Sequence, residues 1–308
     1  LIVTYFALTK NLVDVVQASL LGSILSNVLL VLGGAFVVSG YRHKVSKFNV
    51  LAAQTSASML YMAVLSFVLP AAYSSSVNDP GDKKVVLFSR LISVVILIVY
   101  ILFLFFQLKT HRRHFSGEYE EETDSLHILD APNISRRYSM SLSQQPELTD
   151  EEIETPQIPV TFAVISLCLI TILVSFCSEF LVNTLEPISE NFGISKTFIG
   201  LILLPIVGNA AEHVTAITVA AKDKMDLSLS VAVGSSMQIA LFVTPLSVIM
   251  GLFMNVDMSL HFNIFETTAI FVSTMIVNYI ISDGRSHWLE GVMLLATYII
   301  VAIASWLN

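Results

Sequence analysis

Eight apolar stretches, each long enough to cross the hydrocarbon of a bilayer as a helix, recur along this chain of 308 residues. About 20 apolar residues suffice for one crossing. The stretches are Val13–Ser39, Val50–Tyr73, Val85–Leu108, Val160–Leu185, Lys196–Ala221, Leu227–Asn255, Phe262–Ile281 and Trp288–Leu307. A further piece, Leu1 to about Thr9, is too short to cross. Inside lipid every backbone amide must be satisfied within the protein, which favours helices. The expected fold is therefore an all-α, polytopic membrane protein with eight complete transmembrane helices and one partial. Charged residues are 13% of the chain and mean hydropathy is +0.76, whereas a soluble domain carries about twice that charge. Cys168 and Cys177 share one span and read as small buried side chains, with no disulfide framework. The Gly33-Gly34 pair is a candidate bend in the first span.

The polar residues divide the chain into a first membrane unit (1–108), a linker (109–158) and a second membrane unit (159–308). The linker holds 11 of the 24 acidic residues within 37 positions, including Glu118, Glu120, Glu121, Glu122, Glu151, Glu152 and Glu154. Such a segment reads as a solvated tether, with a possible short helix where Thr149 and Glu152 match a capping box. The net charge of −8 is concentrated there and points to no nucleic-acid partner.

Within the fifth stretch lies Pro205-Ile206-Val207-Gly208-Asn209-Ala210-Ala211-Glu212-His213. Asn209 and Glu212, three residues apart, share a helix face. A carboxylate near the middle of a span is costly and by default marks an ion or proton path. The bland alternative is an Asn-Glu pair that joins helices. Pro205 lacks an N–H, so the Leu201 carbonyl loses its helical partner, and Gly208 permits unwinding. The stretch 205–208 is thus a source of backbone oxygens for a cation. Ser235 and Gln238, also three apart, are candidates for the opposite wall, with helix–helix hydrogen bonding as the competing role. His213 points about 100° away from Glu212 around the helix and reads as packing or support. Glu179, a second intramembrane acid, is a candidate access residue, or an end residue reaching the interface.

A shift of 212 residues places Lys10 on Lys222, Asp14 on Asp226, Gly22-Ser23 on Gly234-Ser235 and Leu29 on Leu241 without a gap. Ser23 and Ser26 then become counterparts of Ser235 and Gln238. The counterpart of Glu212 falls directly before Leu1, so the sequence is expected to continue upstream with about one and a half more helices of the first repeat. Five helices separate the copies, an odd number, so the repeats are expected to insert in opposite directions. Inverted repeats with a site at their interface are a recurrent transporter design. With the linker in the cytosol, eleven Lys and Arg lie on the cytosolic side against five on the other, as the positive-inside rule requires.

Gly208-Asn209-Ala210-Ala211-Glu212-His213, followed by Gly234-Ser235-Ser236-Met237-Gln238-Ile239-Ala240-Leu241-Phe242, resembles the second signature repeat of the cation/proton exchanger family, and in particular its vacuolar calcium/proton exchangers. Val16 to Asn27 resembles the tail of the first signature repeat. The resemblance implies an antiporter of about eleven helices when intact, built from inverted five-helix repeats in the vacuolar membrane. It implies Ca2+ as the transported ion and H+ as the counter-ion, and no enzymatic activity.

Ca2+ takes six to eight oxygens, from carboxylates, amides, backbone carbonyls and water. Glu212, Asn209 and the backbone at Gly208 are the candidate ligands, with Ser235, Gln238, Ser23, Ser26 and Glu179 along the ion path. One carboxylate bound alternately by Ca2+ and by a proton gives exchange without a separate proton wire. The acidic linker is expected to gather Ca2+ weakly at the cytosolic face. The alternatives are a Na+/Ca2+-type exchanger, a passive cation channel, or a non-transporting fragment. A channel would show a selectivity loop and repeated identical subunits.

Overall fold

A computed structural model describes residues 1–76, 83–111 and 159–307. The helices are α1 (Ile2–Thr9), α2 (Val13–Arg42), α3 (Val50–Ser76), α4 (Lys83–Thr110), α5 (Val160–Phe192), α6 (Lys196–Gly208), α7 (Ala210–Ala221), α8 (Met225–Met254), α9 (Ile264–Ile280) and α10 (Trp288–Leu307). Seven are long and apolar enough to cross a membrane singly, and α6 with α7 forms an eighth crossing, bent by 56°. The eight spans expected from hydropathy are therefore present, and the protein is an all-α integral membrane protein.

The chain repeats itself in backbone geometry as well as in sequence. α1 ends at Thr9 and α7 at Ala221, 212 positions later. In the turns that follow, Asn11 and Asp223 both take a left-handed conformation, with φ of 57° and 63°. The next helices start at Val13 and Met225. Each then passes through a π-turn, Ser26–Val31 in α2 and Ile239–Val243 in α8, and resumes as Leu32–Arg42 and Thr244–Met254. The second π-turn stands just before Pro245, and a third, Ile199–Leu203, just before Pro205. Local π geometry of this kind re-satisfies carbonyls that a proline leaves open.

α2 is the centre of the bundle. Leu21, Ile24, Leu25, Val28, Leu29 and Leu32 are all fully buried. Lipid is as apolar as leucine, so helices in a membrane associate through close backbone approach rather than through the hydrophobic effect. Four small residues of α2 provide that approach. A Cβ on Gly22 would lie 2.1 Å from the Leu201 oxygen and 2.6 Å from Pro205 Cγ, and Ala18 faces Gly200. Gly33 faces Gly291 of α10, whose oxygen a Cβ would meet at 3.0 Å, and Gly34 faces Ile217. The glycine pair serves packing, and α2 runs on through it as one helix.

Short polar ties fix the loops. A two-residue antiparallel pair, β1 (Ser46–Lys47) with β2 (Arg285–Ser286), joins the α2–α3 and α9–α10 connections. At the opposite end of α2, the buried Gln17 donates to the carbonyls of Ser259 at 3.0 Å and His261 at 3.1 Å. This closes the α8–α9 loop over the start of α2. Asn263 caps α9 by accepting from the Phe265 N–H at 3.0 Å, and the buried Glu266 stands three residues on, the spacing of a capping box.

α5 is set apart. Its buried positions are Ser178, Val182 and Leu185, a stripe at helical spacing, and none of its most apolar stretch is buried. It meets α1 and the Lys10 turn, where the Lys10 ammonium bonds Asn183 Oδ1. Cys168 and Cys177, expected to be buried, are exposed on it, because a span that touches neighbours along a single narrow stripe leaves its other faces open.

Candidate ion site at the broken helix

The break between α6 and α7 falls at Asn209, with φ −103° and ψ 18°. That is one residue beyond the stretch 205–208 where proline and glycine chemistry placed the unwinding. The Leu201 carbonyl freed by Pro205 is buried against Gly22. Gly208 is exposed, with open space where a Cβ would point.

Three hydrogen bonds tie the break and α8 to the centre of the bundle. Asn209 Nδ2 donates to Ser26 Oγ at 3.1 Å and to the Ser23 carbonyl at 3.4 Å, both on α2. Asn27 Nδ2, also on α2, donates to Ser235 Oγ of α8 at 3.0 Å. Ser26, Asn27, Asn209 and Ser235 thus form a polar seam where the π-turn of α2, the break and the middle of α8 meet. With Nδ2 of Asn209 committed to α2, the oxygen of the same amide is the atom left for a cation. Asn27 is buried, its Oδ1 has no hydrogen-bond partner, and it was not among the expected site residues.

Glu212 lies in the first turn of α7. The exposed N–H groups and dipole of a helix start favour negative charge there. Its half-buried side chain borders a cavity of ≈ 390 Å³ whose wall includes Tyr100, Gln107, Ser230, Ser235 and Gln238. Among the described residues no three His, Cys, Asp or Glu side chains gather to hold a metal ion. A cation in this cavity would therefore meet one carboxylate together with amide, hydroxyl and water oxygens. Such a donor set suits a hard cation that must leave again.

The structure thus places Glu212, Ser235 and Gln238 on one cavity and bonds Asn209 to Ser23 and Ser26 beside it, with Gly208 exposed at the break. It does not bring Glu179 to them. Glu179 is exposed on α5, turned about 100° from the inward-facing Ser178. His213 Nε2 is buried without a partner, next to Glu212 but off its face. Glu118, Glu120, Glu121, Glu122, Glu151, Glu152 and Glu154 lie outside the described residues.

The model of the sodium/calcium exchanger protein family matches residues 1–109 and 162–307. The chain is 42% identical over 308 residues to the vacuolar calcium ion transporter of Schizosaccharomyces pombe, covering 99% of this chain and 68% of that one. It is also 42% identical over 304 residues to the Ca(2+)/H(+) antiporter of Aphanothece halophytica, covering 99% and 77%. Among solved structures, native YfkE superposes with a TM-score of 0.77 at 33% identity, over 100% of this chain and 79% of that one.

Proposed function

Because the chain belongs to the sodium/calcium exchanger protein family, we propose that it is a secondary active antiporter that moves Ca2+ from the cytosol into the acidic vacuole in exchange for H+. The observation that carries this reading is Glu212, a lone carboxylate at the start of α7, facing a cavity beside a helix break. Glu212 binds Ca2+ when ionised, with help from the Asn209 amide oxygen and the backbone at Gly208. A proton on the same carboxyl removes its charge and releases the ion. Each proton bound from the acidic side therefore clears the site for the return step.

Alternating access requires two related halves that can exchange conformations. The matching turns and helix ends after Thr9 and Ala221 support two such halves. Among the described residues five spans lie between the start of α2 and the start of α8, counting α6 with α7 as one, an odd number that fits halves inserted in opposite directions. Relatives described as Ca2+/H+ antiporters favour H+ over Na+ as the counter-ion, and a vacuolar relative favours that membrane.

The test uses vesicles containing the full-length transporter. An inside-acid pH gradient should drive Ca2+ uptake with no Na+ present, and a Na+ gradient alone should not. Glu212→Gln, which keeps the size but loses both the charge and the titrating proton, should reduce uptake to background while inserting normally. PH-driven uptake by that variant near the unmodified rate would refute the mechanism.

A further inference from the structure

The cavity at Glu212 has a neighbour. A second cavity, of ≈ 120 Å³, is lined by Asn49, Ser56 and Asp226 as well as by Gln107, Ser230, Gly234 and Met237. Those last four residues also line the cavity that contains Glu212. The two spaces therefore share a wall. Along α8, Asp226, Ser230, Gly234 and Gln238 follow one another at intervals of four residues, which keeps them on one slowly winding face of the helix. Asp226 stands at the outer end of that face and Glu212 beside its inner end.

Asp226 is an exposed residue in the first turn of α8. Its Oδ1 accepts from the Asn49 backbone N–H at 2.6 Å. That bond fixes the carboxylate at the cavity mouth. The surrounding surface is positive. Lys222 and Lys224 precede Asp226 in the same turn, Lys44 and Lys47 precede Asn49, and Arg42 donates to the Ala221 carbonyl at 2.5 Å. The other nearby acid, Asp223, is paired with His43 at 3.3 Å. A divalent cation approaching from this side meets a basic rim and then, where the cavity opens, the carboxylate of Asp226.

We infer that Asp226 is the outer carboxylate of the ion route, drawing a hydrated divalent cation past the basic rim and handing it along Ser230 and Gly234 to Glu212. This rests on the exchange reading of Glu212. Asp226 is a positioning and recruiting residue. It is near water, so its effect is on local ion concentration and is screened by salt over about 8–10 Å. The plain structural role, pinning the α2–α3 loop and matching the dipole at the start of α8, is the reading to be separated from it.

Asp226→Asn makes that separation, because the amide oxygen still accepts from Asn49 N–H while the charge is gone. In pH-driven Ca2+ uptake by vesicles with their cytosolic face outward, the half-saturating Ca2+ concentration should rise about threefold to tenfold at low ionic strength. The maximal rate should stay within about twofold, and the affinity difference should shrink as KCl is raised. Asp226→Glu should restore most of the affinity. An unchanged half-saturating concentration for Asp226→Asn at low salt, a shift that salt does not screen, or a reduced maximal rate at unchanged affinity would each overturn the assignment. If Asp226→Asn does not insert, Ser230→Cys decides: a charged, impermeant thiol reagent on the cytosolic side should block uptake, and complete labelling without block would overturn the route. The two readings fail separately. Transport by Glu212→Gln would defeat the exchange mechanism, whereas an inert Glu212→Gln with an unaffected Asp226→Asn would defeat this inference alone.

Discussion

Gly22→Ala tests how the broken helix is held. Gly22 is buried in α2, and a Cβ there would lie 2.1 Å from the Leu201 oxygen, 2.7 Å from its carbonyl carbon and 2.6 Å from Pro205 Cγ. Non-bonded heavy atoms sit best at about 3.5–4.0 Å, so α2 and α6 must separate by more than about 1 Å at this point. The opposing atoms are backbone and a proline ring, with no flexible side chain to give way. Overpacking of this kind costs about 1–3 kcal/mol. The separation also pulls Ser23 and Ser26 away from Asn209, whose bonds to them are already 3.4 and 3.1 Å. Interhelical hydrogen bonds in membranes contribute roughly 0.6 kcal/mol each. The expected total is about 2–4 kcal/mol, read as a clear drop in melting temperature in detergent and as loss of most Ca2+ uptake. Gly208→Ala, with nothing within 4 Å of the added carbon, should leave the melting temperature near that of the unmodified protein. A Gly22→Ala protein as stable and as active as the parent would show that this helix contact does not position the break.

Two other perturbations probe different parts of the molecule. Gln17→Ala removes both bonds to the Ser259 and His261 carbonyls, at a cost of about 1–3 kcal/mol for the acceptors left bare; hydrogen exchange across residues 256–263 should speed up, and unchanged protection there would refute the closure assigned to Gln17. Neutralising Glu118–Glu122 and Glu151–Glu154 to glutamine should alter apparent Ca2+ affinity or rate in a salt-dependent way while transport survives, and complete loss at every salt concentration with normal insertion would make the linker part of the transport machinery.

The spans were legible because hydrocarbon imposes a length and a composition on any helix that crosses it, and that constraint acts locally on the chain. The pairing of Asn209 with Glu212 was legible for the same reason, since both lie within one turn. The Ser23 and Ser26 positions followed from the 212-residue register, and the seam confirms their nearness to Asn209. What was not legible depends on contacts between distant segments. Asn27 stands with Ser26 as the polar pair of an otherwise apolar run from Ile24 to Leu32, which was a usable signal, but its partner Ser235 is 208 residues away. Gln17 and Asp226 read as ordinary helix-start polarity until the loops that meet them are in place. The π-turns carry no residue signature of their own, so the break was placed at the proline and glycine that disfavour helix rather than at Asn209. Glu179 kept two readings because hydropathy reports that a residue is inside the membrane and says nothing about which way it faces.

The π-turns in α2 and α8 also record a history. Their positions coincide to within a residue once the chain is shifted by 212. Such turns are rare, and one extra residue accommodated in a helix is enough to make one. Two independent insertions would have to strike the same place in both halves. Duplication of a half-length ancestor that already carried the turn would place both at once. Since then most side chains in the two halves have diverged, so that few identities survive at that offset. The helix ends, the left-handed turn at Asn11 and Asp223 and the π-turn have stayed in register. In this protein the irregularities of the backbone match between the two halves where the amino acids mostly do not.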